Sequence, residues 1–370
     1  MARIPESSHS TVRRIYQLHE QRRENEQERS YLGASELGES CARRLWYRLR
    51  WAAVPQFEGR ILRLFESGHR EEARLVDELR AIGVRVEGQQ HEVVFADGHG
   101  KGHLDGALLG LEEGPKTWAV FECKTANAKT FKEVTAKGVK AANPRHYAQV
   151  QMYMGLTGMT RAAYFVVNKD TDEISHERIE FDKEAFTALV RRAEGIVSAA
   201  EPPVRVSDDP AWYGCRFCPF REVCHGVIVP NATCRSCAHS TPVASGAWKC
   251  EKFDAEIPED AQREGCDEHR FIPVLLEHVA ELVDVSDERV RWRNKLTGKT
   301  FDQPGYTSRE LAAAKDFRVI GDDFAEELKA VFGEGTRVTG SRPLDQGECE
   351  LRSDLEPIYG ASEAWEEGRE

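Results

Sequence analysis

GHLDG at residues 102–106 and FECKT at residues 121–125 sit among apolar, β-branched and aromatic residues separated by Gly-rich turns, the composition of neighbouring strands. Side chains alternate along a strand, so Glu122 and Lys124 share one face and Cys123 takes the other. Asp105 and Glu122 on adjoining strands offer hard carboxylate oxygens of the kind that hold a divalent cation such as Mg²⁺. Lys124 would stand beside that cation. There an ammonium can orient an attacking water or neutralise charge developing on a phosphate.

Working outward, residues 57–83 (FEGRILRLFESGHREEARLVDELRAIG) place Leu62, Phe65, His69, Ala73, Val76 and Leu79 three or four apart. That spacing predicts an amphipathic helix with His69 on its apolar side, where it could supply a nitrogen ligand. Residues 144–158 (PRHYAQVQMYMGLTG) predict a second helix, opened by Pro144 after Asn143 in the cap position. Gln149 and Tyr153, four apart, project from one face of it, and an amide and a phenol can position a phosphate or a bound water. Residues 161–182 predict a hairpin turning at 169–172, and a further helix covers 183–200. Helix, strands, helix, strands, helix, with the strands clustered, predicts an α/β sandwich on a mixed sheet.

The chain has 370 residues, 40% hydrophobic and 31% charged. It has no run of about 18 apolar residues and no signal-type apolar core near residue 1, which predicts a soluble cytoplasmic protein with no membrane partner. In a reducing compartment its ten cysteines are expected as metal ligands rather than disulfides. The net charge of −12 disfavours a phosphate-rich partner, but it is uneven: residues 345–370 hold nine acidic residues against two arginines. The rest of the chain is therefore only mildly acidic and leaves room for a local basic groove. Composition sets no oligomeric state.

Gly68-His69, Gly102 to Asp105, Glu122 to Lys124 and Gln149 to Tyr153 follow one another as Gly-His, G-x-x-D, (D/E)-x-K and Q-x-x-x-Y. In that order they make the chain resemble the PD-(D/E)XK nuclease superfamily, and within it the RecB-like branch, over about residues 30–230. The resemblance implies a restriction-endonuclease-like core and a Mg²⁺- or Mn²⁺-dependent deoxyribonuclease. It further implies an exonuclease on single-stranded DNA or DNA ends, working with protein partners in phage or bacterial recombination, repair or defence. By the same resemblance His69, Asp105 and Glu122 hold the metal, Lys124 assists the water, and Gln149 and Tyr153 orient substrate. The alternative is a catalytically silent nuclease-fold module that binds DNA or protein on a scaffold of metal clusters.

The cysteines fall into two sets. Cys215, Cys218 and Cys224 have the spacing C-x2-C-x5-C, and Cys41 lies far upstream. This layout is similar to that of CRISPR-associated RecB-type exonucleases and AddB-type subunits, which implies a four-iron four-sulfur cluster. The spacing alone would suit zinc as well. A radical-enzyme motif, C-x3-C-x2-C, is absent. Cys234, Cys237, Cys250 and Cys266 form the second set, with His239 and His269 as alternative ligands, and suggest a zinc module. Cys123 and Cys349 are left without a ligand role. The expected organisation is an exposed N-terminal helix (1–30), the nuclease domain (31–230), the Cys-rich module (231–273), an extension of unknown role (274–344) and an acidic tail (345–370).

Overall fold

The computed structural model describes residues 10–24, 26–286, 288–303 and 305–321. α1 (Ser10–Glu24), β1 (Leu32–Gly33), α2 (Ala42–Leu49) and α3 (Gly59–Ala81) come first, followed by β2 (Arg85–Glu87), β3 (Glu92–Phe95), β4 (Gly100–His103), β5 (Gly106–Leu109) and β6 (Ala119–Ala126). α4 (Ala128–Lys137), α5 (Val139–Ala142) and α6 (Pro144–Thr157) then cross to β7 (Arg161–Asn168), β8 (Ile174–Glu180) and α7 (Lys183–Ser198). The main sheet runs β2-β5-β6-β7-β8, parallel only between β6 and β7, which is where the helical crossover is required. β1, β4 and β3 form a smaller sheet beside it. This is the mixed sheet flanked by helices that the sequence predicts.

Strand alternation divides β6 between two cores. Phe121 and Cys123 pack with Leu75, Val76 and Leu79 of α3, whose burial stabilises by roughly 2 kcal/mol each. Val120 turns the other way and joins a core with Val150, Tyr153 and Met154 of α6. α6 begins and ends where its sequence dictates. The Asn143 side chain accepts from the backbone N–H of His146, Pro144 takes the first turn, and Gly158 closes with φ 73°.

The face predicted for α3 is corrected. The helix buries Leu75, Val76 and Leu79, while Phe65, His69 and Ala73 are exposed. The physical reason is that only its C-terminal half lies on the sheet. Its N-terminal part is crossed by α1, which buries no residue of its own. Gly59 permits that crossing: its N–H donates to Glu20 Oε1 at 2.7 Å, and a Cβ there would collide with the Tyr16 carbonyl.

After α7 the chain forms α8 (Tyr213–Arg216) and α9 (Arg221–Cys224), then β9 (Ser240–Pro242), β10 (Trp248–Cys250), β11 (Ala255–Glu256) and α10 (Glu259–Glu264). Beyond residue 274 lies an antiparallel sheet of β12 (Ala280–Val285), β13 (Val290–Asn294) and β14 (Thr300–Gln303), then α11 (Ser308–Ala313), none of which the sequence reading separated. The acidic tail and Cys349 lie outside the described residues. Among the described residues no helix is long and apolar enough to cross a membrane.

Two buried arginines tie the Cys-rich segment to α2. Arg235 lies over Trp51 (3.8 Å to the ring centre) and Trp248 (5.0 Å), and donates to Ser30 O and Leu49 O at 2.7 and 3.0 Å. Arg50 lies over the other side of this group, 5.2 Å from Trp46 and 4.8 Å from Trp248, and donates to Arg235 O at 3.1 Å. Among the described residues neither makes an ion pair. Carbonyls and ring faces carry both charges instead, and burial pushes Arg235 down to about 9. Replacing Arg235 by Ala strands Leu49 O, Ser30 O and Gln262 Oε1 and empties the stack, at a cost of about 3 kcal/mol. Urea unfolding of Arg235→Ala checks this; a loss below half a kcal/mol would contradict it.

Candidate active site

Glu122 is 0% exposed at the centre of the main sheet. Its Oε1 pairs with Lys124 Nζ, and its Oε2 accepts from Gln149 Nε2 at 3.1 Å. The same amide nitrogen donates to the Tyr153 hydroxyl at 3.3 Å, and that hydroxyl donates to His103 O at 2.9 Å. Gly102 makes this possible: a Cβ there would come within 2.6 Å of the Tyr153 ring. Asp105 follows β4, and its Oδ2 accepts from Cys123 N at 2.9 Å, which pins the carboxylate beside β6. Lys124 also donates to Cys123 O at 3.2 Å. The packing of α6 on β6 thus brings together Glu122, Lys124, Gln149 and Tyr153, and the end of β4 adds Asp105.

Burial pushes Glu122 up to about 8, with Lys124 opposing the shift and Asp105 adding to it. Burial alone would lower Lys124, but Glu122 and Asp105 together outweigh it and hold the ammonium protonated. A third carboxyl belongs to this group. Glu72 of α3 is pushed up to about 7 by burial and then by Asp105. Sequence reasoning missed it because the helix face was taken in the wrong register. Its signal was present: Glu72 lies three and four residues before Leu75 and Val76, on their face. His69, three residues before Glu72, is exposed, and among the described residues it makes no hydrogen bond or ion pair with Asp105 or Glu122.

A family profile for the PD-(D/E)XK nuclease superfamily matches residues 6–225, more than half of the chain. The chain belongs to the PD-(D/E)XK nuclease superfamily. Among curated proteins none matches it. Among solved structures it is distantly similar to SSO0001, with 17% identity and a TM-score of 0.38, covering 58% of this chain and 96% of that one. It is also similar to LHK-Exo in complex with dAMP, with 15% identity and a TM-score of 0.35 over 50% and 89% of the two chains. An alkaline exonuclease (LHK-Exo) from Laribacter hongkongensis shows 14% identity and a TM-score of 0.35 over 46% and 87%. The assignment rests on the family profile, not on these likenesses.

In this member of the superfamily each cysteine set lines one pocket. Cys41, the residue preceding α2, lines one pocket with Cys215, Cys218 and Cys224, and Tyr47 and Phe220 line it too. Cys234, Cys237, Cys250 and Cys266 line another with His239 and His269. His269 Nε2 is already engaged by Thr233 O at 2.8 Å and the Ser236 hydroxyl at 3.1 Å, so that nitrogen is not free for a metal. Cys237 Sγ accepts from the backbone N–H of Arg270 at 3.4 Å. All nine described cysteines are free. Among the described residues no three His, Cys, Asp or Glu side chains converge tightly enough to hold a metal ion as they stand, at either set or around Glu122.

The raised carboxyls carry a consequence for stability. Burial pushes Glu122 up to about 8 and Glu72 up to about 7, above the ordinary value of 4.5, so the native state keeps protons that the unfolded chain releases. Their contribution is full below about pH 4.5 and is lost as pH rises towards 8. Thermal melts in EDTA should therefore show wild type losing stability from pH 5 to 8 more steeply than Glu122→Gln. Mg²⁺ or Mn²⁺ at pH 8 should recover the loss in wild type only. Parallel pH slopes for the two proteins would contradict this assignment.

Proposed function

We propose that this superfamily member is a metal-dependent deoxyribonuclease that hydrolyses phosphodiester bonds, acting as an exonuclease on single-stranded DNA or DNA ends. The observation that carries the reading is Glu122, a fully buried carboxylate held by Lys124 and Gln149 beside Asp105. A solvated surface triplet has no need of such support. Glu72, Asp105 and Glu122 are hard oxygen donors whose mutual repulsion a divalent cation would relieve, so the donor set fits Mg²⁺ or Mn²⁺. Asp105 and Glu122 would hold it, with His69 and Glu72 of the neighbouring helix as further ligands. When bound, the metal polarises the scissile phosphate and acidifies water.

The chain's own residues do the remaining work. Lys124, kept protonated by Glu122 and Asp105, offers charge and a donor to the phosphate oxygens and orients the attacking water. Gln149 fixes the Glu122 carboxylate, and Tyr153 fixes Gln149 against β4. The resemblance to RecB-like nucleases supports a setting in phage or bacterial recombination, repair or defence, with the protein partners of those systems. Digestion of labelled single- and double-stranded DNA with Mg²⁺, and with EDTA as control, tests the reading. Glu122→Gln and Lys124→Ala should lower the rate by roughly a thousandfold while folding is kept, and Gln149→Ala by about tenfold to a hundredfold. Wild-type rates in the first two variants would overturn it.

For the cysteines the same proposal assigns an iron–sulfur cluster to Cys41, Cys215, Cys218 and Cys224, and zinc to Cys234, Cys237, Cys250 and Cys266. The support is that each set lines a single pocket, drawn in the first case from both ends of the nuclease domain. A bound group there would crosslink a long stretch of chain and draw the thiolates together. In anaerobically purified protein, Cys41→Ala should lose the brown absorbance and destabilise the catalytic domain. Cys250→Ala should keep both and lose only bound zinc by metal analysis. A colourless wild-type protein without iron would refute the first assignment.

A further inference from the structure

Beside the catalytic group lies a chain of three side chains, Tyr164 buried and Asn143 and His146 half-buried, that none of the sequence motifs includes. Tyr164 of β7 pairs with Glu122 in the parallel register of β6 and β7, so the two side chains share the face covered by α6. It is 1% exposed. His146 occupies the first turn of α6, three residues before Gln149 and seven before Tyr153, on the same face. His146 Nδ1 lies 2.7 Å from the Tyr164 hydroxyl, and Nε2 lies 3.2 Å from Asn143 Nδ2.

The direction of these bonds follows from the helix cap. Asn143 Oδ1 accepts from the backbone N–H of His146 at 3.4 Å, so the amide end of the side chain faces the imidazole. An amide NH₂ can only donate, so Nε2 accepts from it and Nδ1 carries the proton. Burial, and then the charge of Lys124, push His146 down to about 3, which keeps the ring neutral with one donor and one acceptor. Nδ1–H therefore donates to the Tyr164 oxygen, and the hydroxyl hydrogen must turn away from His146. The charged groups near that hydroxyl are Lys124, Glu122 and Glu177, and Glu177 already accepts from Val139 N at 2.8 Å.

We infer that Asn143, His146 and Tyr164 form a hydrogen-bond relay of fixed direction that presents the Tyr164 hydroxyl to the Lys124–Glu122 pair. Tyr164 is then a positioning residue for Lys124. The inference rests on the nuclease reading above. Lys124 has three N–H donors and directs bonds to Glu122 and to Cys123 O, which leaves one uncommitted among the described residues. A hydroxyl held with one lone pair taken by His146 limits where that third donor can swing, and so holds the ammonium on the Glu122 side.

Asn143→Asp tests the direction without removing the cap. A carboxylate still accepts from the helix N–H, but it cannot donate to Nε2 and draws the imidazole proton to that nitrogen. The Tyr164 hydroxyl then turns towards His146. Asn143→Asp and Tyr164→Phe should each lower kcat on single-stranded DNA by roughly ten- to hundredfold with KM unchanged, while melting temperatures stay within a few degrees. ¹⁵N shifts of labelled histidine, with His146 identified by its loss in His146→Gln, should report an Nδ1–H tautomer in wild type and its disappearance in Asn143→Asp. An Nε2–H tautomer in wild type, or wild-type kcat in either variant, would overturn the relay. Wild-type protein that cleaves no DNA would sink the nuclease reading instead, and the tautomer measurement still decides the relay.

Discussion

A carboxylate cut off from water must be compensated from within the protein, and Glu122 is that group here. Its two oxygens are met from two elements, Lys124 on its own strand and Gln149 on α6. The helix can deliver Gln149 only because Asn143 starts it at that point and Tyr153, braced on β4, holds the far side. Gly102 in turn lets β4 come close enough to receive Tyr153. The geometry around Glu122 is therefore a set of mutually dependent satisfactions. That is why five motif residues scattered over 49 positions come together without being neighbours in sequence.

The same principle acts in the Cys-rich part with the opposite sign of charge. Among the described residues Arg50 and Arg235 are buried without an ion pair, and backbone carbonyls and indole faces take its place. Guanidinium tolerates this better than ammonium because it is planar, delocalised and weakly hydrated. Residues 231–273 are consequently bonded to α2, within the nuclease half of the chain. Their short strands offer little apolar area of their own, so these bonds matter more there than in the main sheet.

α3 marks where reading residues in one dimension stops working. The helix was legible from its spacing, and its ends fall within two residues of expectation. Its face was not, because an amphipathic stripe is inferred from where apolar residues recur, and a 23-residue helix need not present one stripe along its whole length. α1 crosses the first part and the sheet covers the last, so two partially overlapping sets of apolar residues compete in the pattern. Choosing the set through His69 concealed Glu72, whose carboxyl is among the strongly shifted groups near Asp105.

Local chemistry alone determined the mixed α/β core, the opposed directions of Glu122 and Cys123, the cap and face of α6, and the candidate acidic and basic groups. Each of these follows from periodicity or from a turn residue acting over a few positions. Only the tertiary structure decided that Glu72 joins the acidic group, that His69 is exposed, that His146 reaches Tyr164, the β7 partner of Glu122, and that two arginines bind the Cys-rich segment to α2. These depend on which elements pack together and at what angle. Long-range burial sets that geometry, and residue spacing along the chain does not record it.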